Sequence, residues 1–304
     1  MDRREFLGKS ALFGAMAVIP SAASVAATMA NDIGDNDAAI ANPIKPPATG
    51  SIPVAFLISD GAVIIDFCGP WDVFVNVMVR GRAEHPFRPY TVAETKDPIV
   101  AGGGMKIIPD YTFDTAPSPK VLVIPAQNGA SEKMMGWIRK AAQTTDVTMS
   151  VCTGAVQLAK SGLLSGLAAT THHDSYKTLA MDFPDVRVKR GVRFVDEGKF
   201  ASSGGLSSGI DLAFHVVERY FGREVARKTA YVMEYQGEGW VKPDSNAIYA
   251  RVLQSTANHP ICPVCSMEVD PEMAPKSVFK GKTYFFCMPD HKERFDAAPE
   301  KWLA

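Results

Sequence analysis

The chain has 304 residues, 46% of them hydrophobic and 21% charged, with a formal net charge of -1. That composition excludes a disordered, collagenous or low-complexity chain and leaves room for one full α/β domain plus a smaller module. The near-neutral balance, with no basic cluster beyond the N-terminus, gives no support for nucleic-acid binding. No downstream apolar run reaches the roughly 18 residues that a membrane span needs.

Asp2-Arg3-Arg4-Glu5-Phe6-Leu7 resembles the twin-arginine export motif. An apolar stretch from Ala11 to Ile19 follows, then the small residues Ser24 to Ala27 at which cleavage is plausible. Residues 1–30 are therefore expected to be a signal peptide that sends the protein to the periplasm, an oxidising compartment. Residues 31–50, rich in Asp, Asn, Ala and Pro, read as a flexible linker.

From residue 51 to 236 strands and helices alternate. Ile52 to Ser59 is an apolar strand, and Gly69 to Val79 reads as a helix opened by Pro70 in its first turn. Tyr90 to Glu94 and Lys106 to Pro109 are short strands on either side of Ala101-Gly102-Gly103-Gly104. Val121 to Pro125 is a buried strand, and Ser131 caps an amphipathic helix running to Ala142. The β-branched run Val147 to Val151 halts at Cys152, and Thr153-Gly154 leads into a helix with Ala155, Val156, Leu158 and Ala159 on its apolar side. Further on come a strand at Ala168 to Thr171, a helix at Ser175 to Met181, a hairpin turning at Asp196-Glu197-Gly198, and two helices that meet near Gly222. Such alternation predicts an α/β fold, a mainly parallel sheet with helices on both faces. Its ligands belong at the carboxyl ends of the strands, where Asp66, Cys152 and Pro125-Ala126-Gln127 fall.

Cys152 is wedged between a strand end and a helix start, the arrangement of a nucleophile elbow with Cys in place of Ser. The helix N-terminus favours an anion there, so this thiol is expected to ionise more readily than a free one. A small buried cysteine in an ordinary turn is the alternative. Asp66, within Val63-Ile64-Ile65-Asp66-Phe67, is a partly desolvated carboxylate suited to acid/base work, or else a helix cap.

The stretches FLISDGAVIIDFCGPWDVF and VCTGAVQLAKSGLLSGLAATTHH are similar to the first strand and the elbow of the ThiJ/PfpI superfamily, whose fold is that of class I glutamine amidotransferases. The likeness runs from about Ile52 to Tyr235 and points to the isonitrile hydratases and to the sensor domains of some transcription regulators. It implies Asp66, Cys152 and Thr153 as catalytic residues, with His172 in a supporting role, a small-molecule substrate and a homodimer. The implied reaction begins with thiolate attack on an isocyanide carbon. Thr153 stands where peptidase members carry His, which disfavours a Cys-His protease. Pro125-Ala126-Gln127-Asn128-Gly129 replaces the Pro-Gly-Gly that helps build an anion hole in many relatives.

Residues 237–260 carry the breakers Gly237, Gly239 and Pro243 and read as a linker, with one helix at Ala247 to Leu253. Residues 261–304 are too few for a large core. Cys262-x-x-Cys265 and Cys287-x-x-x-His291 offer four soft or borderline ligands at spacings that suit zinc or another thiophilic transition metal. The alternative is a Cys262–Cys265 or Cys262–Cys287 disulfide, with Phe285, Phe286, Phe295 and Trp302 as the miniature core. This segment resembles a YHS domain. The whole reads as a periplasmic cysteine-dependent enzyme with a small C-terminal metal-binding module. Alternatives are a non-catalytic metal-handling or stress-sensing ligand binder and a glyoxalase- or deglycase-like enzyme. Cys68, two residues past Asp66, is either a packing residue or the partner of Cys152 in a redox disulfide.

Overall fold

The computed structural model describes residues 40–303, so the expected signal peptide lies outside the described residues. The α/β part runs β1 (Ile52–Leu57), α1 (Ile64–Val75), β2 (Phe87–Ala93), β3 (Ile99–Val100), β4 (Lys106–Ile107), β5 (Tyr111–Thr112) and β6 (Val121–Ile124). It continues through α2 (Glu132–Thr144), β7 (Val147–Ser150), α3 (Gly154–Lys160), β8 (Ala168–Ala169), α4 (Tyr176–Asp182) and β9 (Arg187–Val188). A hairpin of β10 (Phe194–Glu197) and β11 (Phe200–Ser203) and the helices α5 (Ser208–Phe221) and α6 (Arg223–Val232) complete it.

Seven strands form one sheet in the order β10-β11-β7-β6-β1-β2-β5. Every pairing is parallel except β10 with β11, which turns at Gly198. Both faces are covered, so the central strands are apolar throughout. Val54, Phe56, Val121, Val123, Val147 and Met149 face the layer holding Phe74 of α1 and Phe214 of α5. Ala55, Leu57, Leu122 and Ile124, one residue out of step, face Ile138 of α2, Leu158 of α3 and Leu179 of α4. The predicted sheet with helices on both faces is present, and Ser131 caps α2 by accepting a hydrogen bond from the Met134 amide at 3.1 Å.

Three local expectations are corrected. The first helix starts at Ile64, not Gly69, and Pro70 sits inside it. A proline that far along removes one backbone hydrogen bond, and α1 accommodates this while packing against α5. The part of the N-terminal linker that is described, from residue 40 on, is docked: the Ile44 amide donates to Arg219 O, and Arg82 donates to Pro47 O and Gly50 O. The segment read as a second linker is also packed. Trp240 is buried against Phe214, the Arg193 amide donates to Pro243 O, and Asn246 is buried beside Arg193. Its helix shrinks to a single 3-10 turn over Ala247–Ala250.

The C-terminal module comprises the hairpin β12 (Lys276–Phe279) and β13 (Lys282–Phe285), then α7 (Pro289–Ala297) and α8 (Pro299–Leu303). Its core is Val264, Val269, Phe286, Phe295 and Trp302 with Cys262 and Cys265. It rests on α4, where Met181 joins that core, Asp182 pairs with Arg294 at 2.7 Å, and Lys177 donates to Trp302 O. Among the described residues no helix is long and apolar enough to cross a membrane.

Candidate active site and metal centre

Four neighbouring parallel strands, β1, β6, β7 and β11, each end in a loop that supplies one part of the elbow site. After β7 the chain turns sharply at Cys152, whose φ of +56° is in the left-handed region. A non-glycine residue there is strained, by about 1–3 kcal/mol, and is held by its surroundings. The Cys152 amide donates to Gly204 O at 3.1 Å, and the Thr171 hydroxyl donates to Cys152 O at 2.9 Å. Gly154 opens α3 so close to β6 that a Cβ would overlap the Ile124 carbonyl and lie 2.8 Å from Pro125 O. Only glycine lets the elbow close onto its neighbouring strand.

Asp66 is fully buried in the first turn of α1 and is not a cap. Its Oδ2 accepts from the Ala126 amide at 3.1 Å, while Oδ1 has no hydrogen-bond partner among the described residues. The Cys152 thiol and the Leu206 amide lie near enough to favour the ionised carboxylate. Burial outweighs them and pushes the Asp66 carboxyl up to about 6. The thiol moves the same way. Burial, then the charge of Asp66, push Cys152 up to about 12, against the amides of Thr153 and Leu206 and the Thr153 hydroxyl. The expectation of an easily ionised thiol is therefore corrected: α3 is only two turns long, and its dipole is outweighed.

The Ala126 amide, sought as part of an anion hole, is engaged by Asp66. The Leu206 amide, in a turn where Leu206 itself has φ of +48°, faces the pair instead. Sequence reasoning missed the Leu206 donor, because a backbone N–H has no residue signature; the hint was Gly204-Gly205 after β11. His172 is placed behind that turn, its ring edge against Gly205 and its Nδ1 near the Asp174 amide at 3.4 Å. Cys68 and Cys152 are both free. Two residues along a helix turn a side chain about 200° around the axis, so Cys68 points away from the face that carries Asp66. It packs partly buried against the core near Asp72, as a packing residue.

In the C-terminal module Cys262, Cys265, Cys287 and His291 bring their ligand atoms within 4.8 Å of one another. The knuckle is closed by the Ser266 amide donating to Cys262 O at 2.8 Å, and Pro289 starts α7 so that His291 returns to Cys287. Sγ of Cys265 and Cys287 are 3.5 Å apart, and His291 Nδ1 lies 3.1 Å from Cys287 Sγ and 3.7 Å from Cys262 Sγ. A tetrahedral ion with zinc-like bonds needs ligand edges of about 3.5–3.8 Å, so the donor set fits. All three cysteines are free, against the disulfide alternative. Hydrogen bonding, first from Cys265, pulls the Cys262 thiol well below its ordinary value.

Sheet, elbow and acid/thiol pair define an α/β protein with a buried carboxyl and thiol facing each other at the strand carboxyl ends. More particularly, the chain belongs to the DJ-1/PfpI family, whose model matches residues 53–219, more than half its length. Residues 261–304 match the YHS domain. Among curated proteins it is 28% identical to an isonitrile hydratase of Pseudomonas putida, over 61% of this chain and 79% of that one. It is 25% identical to the HTH-type transcriptional regulator GbdR of Pseudomonas aeruginosa, over 49% of this chain and 42% of the regulator. Among solved structures, a ThiJ/PfpI family protein from Pseudomonas syringae aligns with a TM-score of 0.56 at 26% identity, over 64% of this chain and 78% of that one.

Proposed function

We propose that this chain is a periplasmic cysteine-dependent hydratase of isonitriles, carrying a metal in its C-terminal module. The observation that carries the reading is the buried Asp66 facing the buried Cys152, with Thr153 following and no imidazole beside the sulfur. The Asp66 carboxylate accepts the thiol proton, and the sulfur bonds to the terminal isonitrile carbon. Asp66 returns the proton to that carbon, giving a thioimidate. Water then adds across the C=N bond, its oxygen to carbon and one proton to nitrogen. The C–S bond breaks, the hydroxyl proton passes through Asp66 to sulfur, and an N-substituted formamide leaves. The Thr153 hydroxyl and the Thr153 and Leu206 amides stabilise the sulfur anion at each stage. His172, by filling the space beneath Gly205, positions the turn that carries the Leu206 amide.

Cys262, Cys265, Cys287 and His291 would hold zinc or another thiophilic transition metal, which supplies a structural cross-link for a module with a small core. Export rests on the Arg3-Arg4 motif, and the homodimer on family resemblance. The likeness to a transcriptional regulator supports a second reading, a ligand-binding protein without turnover. The test is purified protein, wild type and Cys152→Ala, incubated with a panel of isonitriles and α-oxoaldehydes and read by product mass. Formamides from wild type alone are expected. Hydroxy acids instead would move the assignment to a glyoxalase-like reaction, and no product from either class would leave the binding protein.

A further inference from the structure

Away from the elbow pair and the C-terminal cluster, three consecutive side chains converge just ahead of α4. His172 Nδ1 lies 3.5 Å from one oxygen of Asp174, and His173 Nε2 lies 3.2 Å from the other. All three ligand atoms fall within 4.8 Å of one another. We propose that His172, His173 and Asp174 form a second metal site, distinct in chemistry from the cysteine cluster and open to a cavity.

Each imidazole nitrogen lies 3.2–3.5 Å from an Asp174 oxygen, close to the ligand edges of about 3.3–3.6 Å around a tetrahedral ion with bonds of about 2.0–2.2 Å. Both rings are held in place. His172 is pressed edge-on against Gly205, where no side chain fits, so its Nδ1 edge is turned to Asp174. His173 is sandwiched between His172, at 4.2 Å between centroids, and Tyr249, stacked at 4.8 Å. Three protein ligands leave room for a fourth, and there is space for it. Both histidines line a cavity of about 150 Å³ together with Ser207, Ser208, Asn246 and Tyr249. Ser208 is fully buried, and its Oγ has no hydrogen-bond partner among the described residues.

Two imidazoles and a carboxylate favour a borderline divalent ion such as Zn²⁺, Fe²⁺, Ni²⁺ or Cu²⁺, whereas three thiolates favour a softer one. Both sites adjoin one short helix, since α4 begins two residues after Asp174 and its Thr178 and Met181 touch the C-terminal module. The chain thus presents a thiolate site and a nitrogen/oxygen site as neighbours.

The test is a Co²⁺ titration of untagged full-length protein, stripped of metal and kept reduced. Stoichiometry is read by equilibrium dialysis, and thiolate-to-cobalt charge transfer in the near ultraviolet marks the cysteine site. Wild type should bind two equivalents. His173→Ala, and the milder Asp174→Asn, should each bind one with the thiolate band intact, which also shows that the C-terminal module is folded. Cys262→Ser/Cys265→Ser should bind one equivalent without that band. One equivalent in wild type with a full thiolate band, or two equivalents retained by His173→Ala, would overturn the proposal.

Discussion

The elbow and the C-terminal cluster solve the problem of gathering reactive groups in different ways. At the elbow, parts spread from Asp66 to Leu206 meet only because β1, β6, β7 and β11 are neighbours in the sheet, and two of them act through backbone amides. In the C-terminal module, all four groups are side chains from one short stretch, closed by a knuckle and one helical turn. The first arrangement is held by the sheet itself and raises the proton affinity of two groups. The second gathers thiols that have little reason to stay together unless a cation holds them.

The largest expected effect sharpens that contrast. Metal removal by a chelator under reducing conditions should forfeit binding energy on the order of 10 kcal/mol. Amide hydrogen exchange should then show lost protection across β12, β13 and α7 while the seven-stranded sheet keeps its own. Uniform loss over both parts would mean that the module is not the separately stapled body described here.

A second effect is smaller and opposite in sign. The Asp66 carboxyl binds its proton more tightly folded than unfolded, its value being raised from 3.8 to about 6. Stability from this group is therefore fully present below about pH 3.8 and is lost as pH rises through about 6, a cost on the order of 3 kcal/mol at neutral pH. Asp66→Asn should keep the Ala126 hydrogen bond, raise Tm near pH 7.5, lose that advantage near pH 4, and cut turnover by about 10²–10⁴-fold. Thermal melts at both pH values check the sign. Gly154→Ala should cost less, about 1–3 kcal/mol, by forcing α3 away from the Ile124 carbonyl. Its denaturant midpoint should fall, and Cys152 reactivity should fall with it, while metal content stays unchanged.

What the sequence could reveal follows the same division. Strand β7, the turn at Cys152 and the four-residue Cys/His cluster were legible because side-chain type and spacing carry them. The continuous apolar runs of β1 and β6 announced a sheet buried on both faces. The start of α1 was misjudged because Pro70 is an ordinary first-turn signal, and tertiary packing against α5 overrode it. The packing of residues 237–250 was hidden by its glycines and prolines, since Trp240 and Asn246 are single anchors without periodicity. The proton affinity of Cys152 was misread because helix position is visible in a sequence, whereas burial and a facing carboxylate are properties of the assembled sheet.

If Asp66 and Cys152 work as one proton-sharing pair, the pH dependence of Cys152 alkylation must carry the titration of Asp66. Labelling of Cys152 by a small neutral haloacetamide would be followed by peptide mass in wild type and Asp66→Asn. The wild-type rate should rise through about pH 6 with ionisation of Asp66, and the variant should lack this inflection, reacting only on the alkaline limb. Superimposable profiles, each with a single inflection at the ordinary thiol value near 8.5, would contradict it.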